Sequence, residues 1–470
     1  MFLLIRDDIY SLCNDRSEYN YKIVTQEKIM IYNEYFTKYR DGILMPNVKI
    51  DNNKIIYADW AASGRFYKPL EDEFLTKYAP YYANVHTEDS FLGKTTTNMY
   101  LEGKTKIKNH FGANNYSIIA SGAGMTSSIH KLQQILSQSF DGKKVVFISE
   151  YEHNSNFISW VHQGYQCEIV DCVKGMPDYK EMKEKLNKYY KNGYQIIGSF
   201  SAGSNLTGNM TNIETISRII KSFDGTMCVD YTAVAPHKKI DMEKLNIDAL
   251  MFSPHKLLGG IGTSGILIIN PEIYRTEIPS VCGGGVVKWV CKSGNVAFAD
   301  DIETREEAGT PAITQVIKSG LAIDLLNEMG IAKIMAREQE IVRKLYRDLG
   351  KDKNIIIYGN DKVEKMPFVA FNSINKDYAT ITKELSNNYG IQARGGCSCA
   401  SIYAHKLLKI SPIESKKMCN IMKSSGAVNP YGMVRISLSA LTSDKEIQYI
   451  LEAIKASVQK NEKKQSYFRV

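Results

Sequence analysis

The residue in this sequence with the most chemistry to offer is Lys256, in Phe252-Ser253-Pro254-His255-Lys256-Leu257-Leu258-Gly259-Gly260. It follows an apolar run, Ala249-Leu250-Met251-Phe252, and precedes Gly259, Gly260, Gly262 and Gly265. That places it in a tight, glycine-permitted loop at the end of a strand, from which a lysine reaches into a cleft. Its amine condenses with an aldehyde once deprotonated, and partial burial beside another cation favours that deprotonation. His255 is placed to donate to a phosphate or to add to the local positive field. Taken alone, a lysine in such a loop is more often a solvated surface residue.

Three other features share that end of the chain's strand pattern. Asp230 ends the run Met227-Cys228-Val229-Asp230, where a carboxylate pairs with the protonated nitrogen of a heterocycle and keeps the ring an electron sink. In isolation it reads as a cap or turn residue. Gly122-Ala123-Gly124-Met125-Thr126-Ser127-Ser128 lies between a strand and a helix, and small residues at a helix N-terminus expose N–H groups where the dipole favours a phosphate. By itself it is an ordinary strand-to-helix turn. His153, in Glu150-Tyr151-Glu152-His153-Asn154-Ser155-Asn156, brings a flat ring to the same edge, suited to stacking, although isolated histidines are more often surface or core residues. Amine, carboxylate, phosphate cradle and ring together suit a phosphorylated pyridine aldehyde held on Lys256 as a Schiff base.

These groups need a scaffold, and the sequence supplies an alternation of short β-branched runs with amphipathic stretches. Strands are predicted at 116–120, 145–149, 196–200, 227–230, 249–252 and 265–269. A capping box, Thr211-Asn212-Ile213-Glu214, opens a helix carrying Ile216, Ile219 and Ile220. The expected core is α/β, a mostly parallel sheet covered by helices. One long helix is predicted from Gln315 to about Leu349, leading into a second, smaller α+β domain. The expected divisions are an N-terminal extension over 1–50 packing on the small domain, a large domain over 51–320, a small domain over 321–458, and a frayed tail over 459–470. With 470 residues and 44% apolar composition, the chain can fill two cores. A net charge of +8 comes from scattered basic residues, so no nucleic-acid partner is expected. The N-terminus reads as neither signal peptide nor anchor, no apolar run reaches membrane-span length, and nine cysteines without framework spacing point to free thiols in the cytoplasm.

In this order the motifs resemble the class V, fold-type I pyridoxal-phosphate enzymes, within them the cysteine desulfurase and selenocysteine lyase branch. The resemblance runs from Tyr57-Ala58-Asp59-Trp60-Ala61-Ala62 to Val434-Arg435-Ile436-Ser437-Leu438. It implies a seven-stranded sheet, pyridoxal phosphate on Lys256, and a phosphate site at Gly124, Met125, Thr126, Ser253 and His255. It further implies a stacking role for His153, a ring-nitrogen partner in Asp230 (with His237 and Asp241 behind it), and Asn205, of Ser204-Asn205-Leu206-Thr207-Gly208, near both cofactor and substrate. The substrate side is implied to hold His86, of Asn84-Val85-His86, with Arg394 and Arg435, the last clamping a carboxylate in a task suited to a planar bidentate donor. Thr310, of Glu307-Ala308-Gly309-Thr310-Pro311, is implied to reach the phosphate of a neighbouring subunit, hence a homodimer.

The loop Ile391-Gln392-Ala393-Arg394-Gly395-Gly396-Cys397-Ser398-Cys399-Ala400 resembles the desulfurase loop in which an arginine precedes the persulfide-forming cysteine, and it singles out Cys399. A free thiol needs a nearby cation to ionise near neutral pH, and Arg394 is one. Cys397 is a departure that also resembles the molybdenum-cofactor sulfurases, and Ala233 replaces the glutamine that the family sets against the cofactor phenolate, leaving Asn205 or Thr232 to substitute. Other readings of the cysteine pair are a strained redox disulfide, half a metal site with His405 or Cys419, or two inert turn residues; no metal is expected. The implied activity is conversion of L-cysteine to L-alanine with sulfur carried as a persulfide to an acceptor protein. The alternatives are a class V aminotransferase, epimerase or β-lyase without a cysteine nucleophile, and a non-catalytic scaffold that keeps the fold.

Overall fold

The computed structural model describes residues 32–85, 87, 89–359, 362–424 and 429–459. His86, the extension before residue 32 and the tail from 460 lie outside the described residues. The central sheet has seven strands: β1 (Ser117–Ala120), β2 (Lys144–Ser149), β3 (Gln166–Val170), β4 (Gln195–Ser201), β5 (Thr226–Asp230), β6 (Ala249–Phe252) and β7 (Ile266–Ile269). Their order is β1-β7-β6-β5-β4-β2-β3, with β7 antiparallel to both neighbours and the remaining pairs parallel. The sheet is the mostly parallel one that the sequence predicts. Only β3, an edge strand whose pattern QCEIV lacks a continuous apolar run, escapes the sequence reading.

Successive side chains on these strands go to opposite cores, as the period of two requires. Val145 and Phe147 join the core on one face, and Val146 and Ile148 the core on the other. Helices α1 (Phe91–His110), α2 (Met125–Ser139), α3 (Ser155–His162) and α4 (Ile213–Lys221) belong to this domain. α4 is capped by Asn212, whose side chain accepts from Thr215 N at 3.0 Å. The predicted Thr211 cap is displaced because the Thr211 hydroxyl donates to Ser201 O at 2.8 Å, tying the loop back to β4.

The long predicted helix is two, α5 (Ile313–Met329) and α6 (Ile331–Leu349). They meet at Gly330, whose φ of 80° lies where glycine is the residue that fits without strain. α5 places Val316, Leu325 and Met329 in the large core, whereas Ile341, Leu345 and Leu349 of α6 enter the small one. The side chains of α6 thus pass from the large core at Ile334 to the small core at Ile341. The small domain builds a four-stranded antiparallel sheet, β8 (Ile355–Tyr358), β9 (Phe368–Ser373), β10 (Arg394–Gly396) and β11 (Met433–Ser437), in the order β8-β9-β11-β10. α7 (Ser401–Leu407) follows β10, and α8 (Asp444–Ser457) opens with a capping box of Ser443 and Glu446.

Two early segments cross the expected divisions. Ile56–Tyr57 pairs in parallel with Ile391–Gln392, and Ile56 and Ala58 pack in the small core. The described part of the N-terminal extension puts Phe36 and Tyr39 into the large core, and it reaches the small domain through Arg40, which donates to Leu441 O at 2.6 Å, and Asn33, whose Oδ1 accepts from Asp444 N at 3.4 Å. Among the described residues no helix is long and apolar enough to cross a membrane.

The loop after β6 is pinned by its neighbours: Gly64 N donates to His255 O at 2.9 Å and Gly259 N to Arg65 O at 2.8 Å. A methyl group at Gly260 would sit 1.9 Å from Pro254 O, whereas one at Gly284 would meet open space. Gly260→Ala is therefore expected to cost about 1–3 kcal/mol, the usual penalty of overpacking, and to lower the thermal unfolding midpoint. Gly284→Ala, measured alongside, should leave that midpoint unchanged.

Candidate active site

Parallel strands present their C-terminal ends along one edge, and ligands bind where neighbouring connections diverge. Here β1 leads to Gly124–Thr126, β2 to His153, β4 to Asn205 and β6 to Lys256, while Asp230 is the last residue of β5. β2 and β4 stay paired as far as Phe147 and Gly198 and then part. The buried carboxylate of Glu152 fills the gap, accepting from Ser149 N at 3.3 Å, Ser149 Oγ at 2.6 Å, Ser201 N at 3.0 Å and Asn156 Nδ2 at 2.7 Å. Burial raises its pKa to about 7 against these donors, with the charge of Asp230 adding to the rise. The turn that presents His153 is fixed by this knot.

Residues 124–126, His153, Asn205, Asp230 and Lys256 line one cavity of about 230 Å³. Among the described residues, no hydrogen bond or ion pair engages the Lys256 amine. Burial pushes its pKa down to about 8, the charge of Asp230 opposes the shift, and Arg435 and Arg394 reinforce it. Asp230 accepts from Thr232 N at 2.9 Å. His153 Nδ1 accepts from Ser155 N at 3.2 Å, and Ser155 Oγ lies 2.7 Å from Thr126 Oγ1, which links the ring to the start of α2. Burial lowers the His153 pKa, with Asp230 opposing and Lys256 assisting. At the same helix start Met125 N donates to Ser253 Oγ at 2.8 Å, and Gly124 packs close enough to Ser253 and His255 that an added methyl group would touch both.

The small domain closes the cavity. Arg435, on β11, is buried and donates to Asn205 O at 2.7 Å and to Asp59 Oδ1 at 2.5 Å; Arg394, on β10, donates from Nε to Asp59 Oδ2 at 3.0 Å. Four cavity residues carry a buried polar atom without a protein partner: Asn205 Oδ1, Thr232 Oγ1, Ser398 Oγ and Arg435 Nε. Buried polar atoms in native proteins nearly always find a partner, so this lining is matched to a polar occupant. Asn205 and Thr232 line the same cavity as Ala233, where the sequence calls for a substitute hydrogen-bonding group.

The cysteine loop is held in an uncommon shape. Ser398 and Cys399 both have positive φ, 51° and 58°, a conformation costing non-glycine residues roughly 1–3 kcal/mol each. It persists because Asn205 Nδ2 donates to Ser398 O at 2.6 Å and Asn154 N to Cys399 O at 2.7 Å. Asn154 also accepts from Ser401 N at 3.1 Å, so the residue beside His153 clamps both the loop and the start of α7. Cys399 is exposed and lines the cavity. Cys397 is half-buried, with Sγ 3.6 Å from Tyr431 O and 3.7 Å from Asn429 Nδ2, and burial raises its thiol pKa.

Of the site residues expected from sequence, the cavity gathers Gly124, Met125, Thr126, His153, Asn205, Asp230, Ser253, His255, Lys256, Arg394, Cys399 and Arg435. Thr310 is not among them. It lines an adjoining groove of about 820 Å³ that also contains Thr126. His86 lies outside the described residues. Sequence reasoning gave no role to Asp59, Glu152 or Asn154, although each lies in a quoted motif. An acidic residue inside the apolar run Ile56-Tyr57-Ala58-Asp59-Trp60 was the available signal for the first, since a charge there must be paired when buried.

An amine with a pKa near 8 is half deprotonated where surface lysines are not. In the cofactor-free protein, the rate of Lys256 modification by an amine-directed reagent is expected to rise through a midpoint near pH 8 when peptides are quantified by mass spectrometry. A midpoint near 10.4, the ordinary lysine value, would show that burial does not act on this amine.

Comparison with known proteins places this geometry. A probable cysteine desulfurase of Borreliella burgdorferi is 26% identical over 364 residues, covering 76% of this chain and 85% of that protein. A cysteine desulfurase of Wigglesworthia glossinidia brevipalpis is 27% identical over 357 residues, covering 75% and 85%. Among solved structures, the apo cysteine desulfurase of Thermococcus onnurineus superposes with a TM-score of 0.73 at 23% identity, over 88% of this chain and 99% of that one. The cysteine desulfurase CsdA of Escherichia coli gives 0.70 at 19% identity, over 93% and 99%. These structures share the fold described above. With residues 56–450 matched by the model of the aminotransferase class-V family, the chain belongs to that family of pyridoxal-phosphate-dependent enzymes.

Proposed function

We propose that this enzyme acts as a cysteine desulfurase, converting L-cysteine and the Cys399 thiol into L-alanine and a Cys399 persulfide. One sulfur atom moves: the substrate's carbon–sulfur bond breaks, a sulfur–sulfur bond forms on Cys399, and the methyl group of alanine takes up a proton. The observation that supports this reading best is the placement of an exposed Cys399 in the Lys256 cavity, on a strained loop clamped by Asn154 and Asn205. Cys397 is the weaker candidate, because it does not line the cavity and its burial favours the neutral thiol.

The lining fits the family's cofactor, with unpartnered polar atoms at Asn205, Thr232 and Ser398 and a helix start at Gly124–Thr126. Bound pyridoxal phosphate supplies an aldehyde that condenses with amines and a ring that withdraws electrons from the substrate's α-carbon. Lys256 would hold the aldehyde carbon, and its depressed pKa lets the same amine accept and return the α-proton near neutral pH. Asp230 would hold a proton on the ring nitrogen, and His153 would cover the ring face. Met125, Thr126, Ser253 and His255, which line the cavity, would surround the phosphate. Arg435 and Arg394 would orient the substrate carboxylate; the substrate role that the resemblance implies for His86 lies outside the described residues. Asn205 or Thr232 would take the phenolate contact that Ala233 cannot make.

The reading extends to a homodimer in which Thr310 serves the partner's phosphate, to an acceptor protein that removes the persulfide, and to the cytoplasm. The eight described cysteines are all free, as suits a reducing compartment. A class V aminotransferase, epimerase or β-lyase would use the same cavity without a thiol. Cys399→Ser is therefore expected to reduce sulfide and alanine release from L-cysteine, under thiol reductant, by at least about a hundredfold, while the visible spectrum still responds to added L-cysteine. Cys397→Ser should retain most turnover. Full turnover by Cys399→Ser would assign the enzyme to the thiol-independent group, and a protein whose spectrum ignores amino acids would be a scaffold.

A further inference from the structure

Arg394 and Arg435 stand directly opposite each other on antiparallel neighbours β10 and β11. Like charges in that register repel. One carboxylate, Asp59, lies between them and binds both, Oδ2 to Arg394 and Oδ1 to Arg435. Its backbone is fixed on the same domain: Asp59 bridges Ser437, Trp60 N donates to Ser437 O at 3.1 Å, and Ala61 N to Ser437 Oγ at 3.0 Å. The backbone of Asp59 is therefore held beside both arginines. It uses one side of each guanidinium and leaves Arg435 Nε unpartnered and Arg394 substantially exposed, its side chain 41% accessible.

Two cations and one anion sum to a single positive charge, the amount that one α-carboxylate neutralises. A substrate with a second acid group would bring its extra charge toward Asp59 with no cation left to meet it. We propose that Asp59 is a specificity-determining residue that sets the carboxylate subsite at one net positive charge and so selects amino acids with uncharged side chains over acidic ones. The inference rests on the reading that Arg394 and Arg435 hold the substrate carboxylate, and it is independent of whether sulfur is transferred.

The test uses the holoenzyme and two unreactive probes, propionate and succinate, with affinities measured by calorimetry. Asp59→Asn is expected to raise the succinate-to-propionate affinity ratio about tenfold, the scale of one unit charge at close range in a partly screened site. Arg394→Gln should lower both affinities and reduce the ratio. The double variant Asp59→Asn/Arg394→Gln restores one net positive charge and should return the ratio to within about threefold of the wild type, an outcome that a merely structural role of Asp59 does not produce. A ratio that stays constant across the variants, or a shift in Asp59→Asn that the double variant fails to reverse, overturns the proposal. Propionate affinity untouched by Arg394→Gln would instead remove the carboxylate-site reading beneath it, and neither result depends on sulfide release.

Discussion

Taking the amine of Lys256 out of water is unfavourable for its charged form, and the site is arranged around that one constraint. The backbone of the loop carrying it is held in place, because Gly64 N and Gly259 N tie it to the 64–65 segment. Two arginines add to the desolvation, and Asp230 is the counter-charge that partly offsets them. An amine balanced in this way loses its proton near pH 8, well below an ordinary lysine, which is the property needed for imine chemistry and for moving a proton at carbon. The parallel sheet is what makes the arrangement possible, since its strands deliver a helix start, a histidine, an asparagine, an aspartate and a lysine to one edge.

The two domains meet over this cavity through polar contacts at a few residues. Asn205, from the large domain, accepts Arg435 on its carbonyl and donates to Ser398 O; Asn154 does the same work for Cys399 and Ser401. Arg435 and the cysteine loop are therefore positioned by Asn205, which lines the Lys256 cavity, and by Asn154, the neighbour of His153. Rigid placement of this kind sets the Cys399 loop at the cavity edge without a long, mobile segment.

Much of this was legible in the sequence because parallel strands buried on both faces read as continuous β-branched runs, and residues just past such runs are the ones that face the crevice. Lys256, Asp230, His153 and Gly124 were found in that way, and their order along the chain carried the family resemblance. The misplaced features have specific causes. Gly330 interrupts a periodic apolar pattern that continues on both sides, so one helix was read where two exist. Thr211 has the right side chain for a cap but spends its hydroxyl on Ser201. Asp59 and Glu152 act through partners distant in sequence, at Arg394, Arg435 and Ser201, which no local pattern encodes. Thr310 faces an adjoining groove, and its expected service to a second subunit is a relation between chains.

The central claim is that the cavity around Lys256 holds pyridoxal phosphate on that amine. Reducing the purified holoenzyme with borohydride, digesting it and mapping the peptides by mass spectrometry tests this directly. The account predicts a pyridoxyl phosphate group on Lys256 in stoichiometric amount and on no other lysine. Finding the group on a different lysine, or finding Lys256 unmodified in a protein that carries the cofactor, would contradict it.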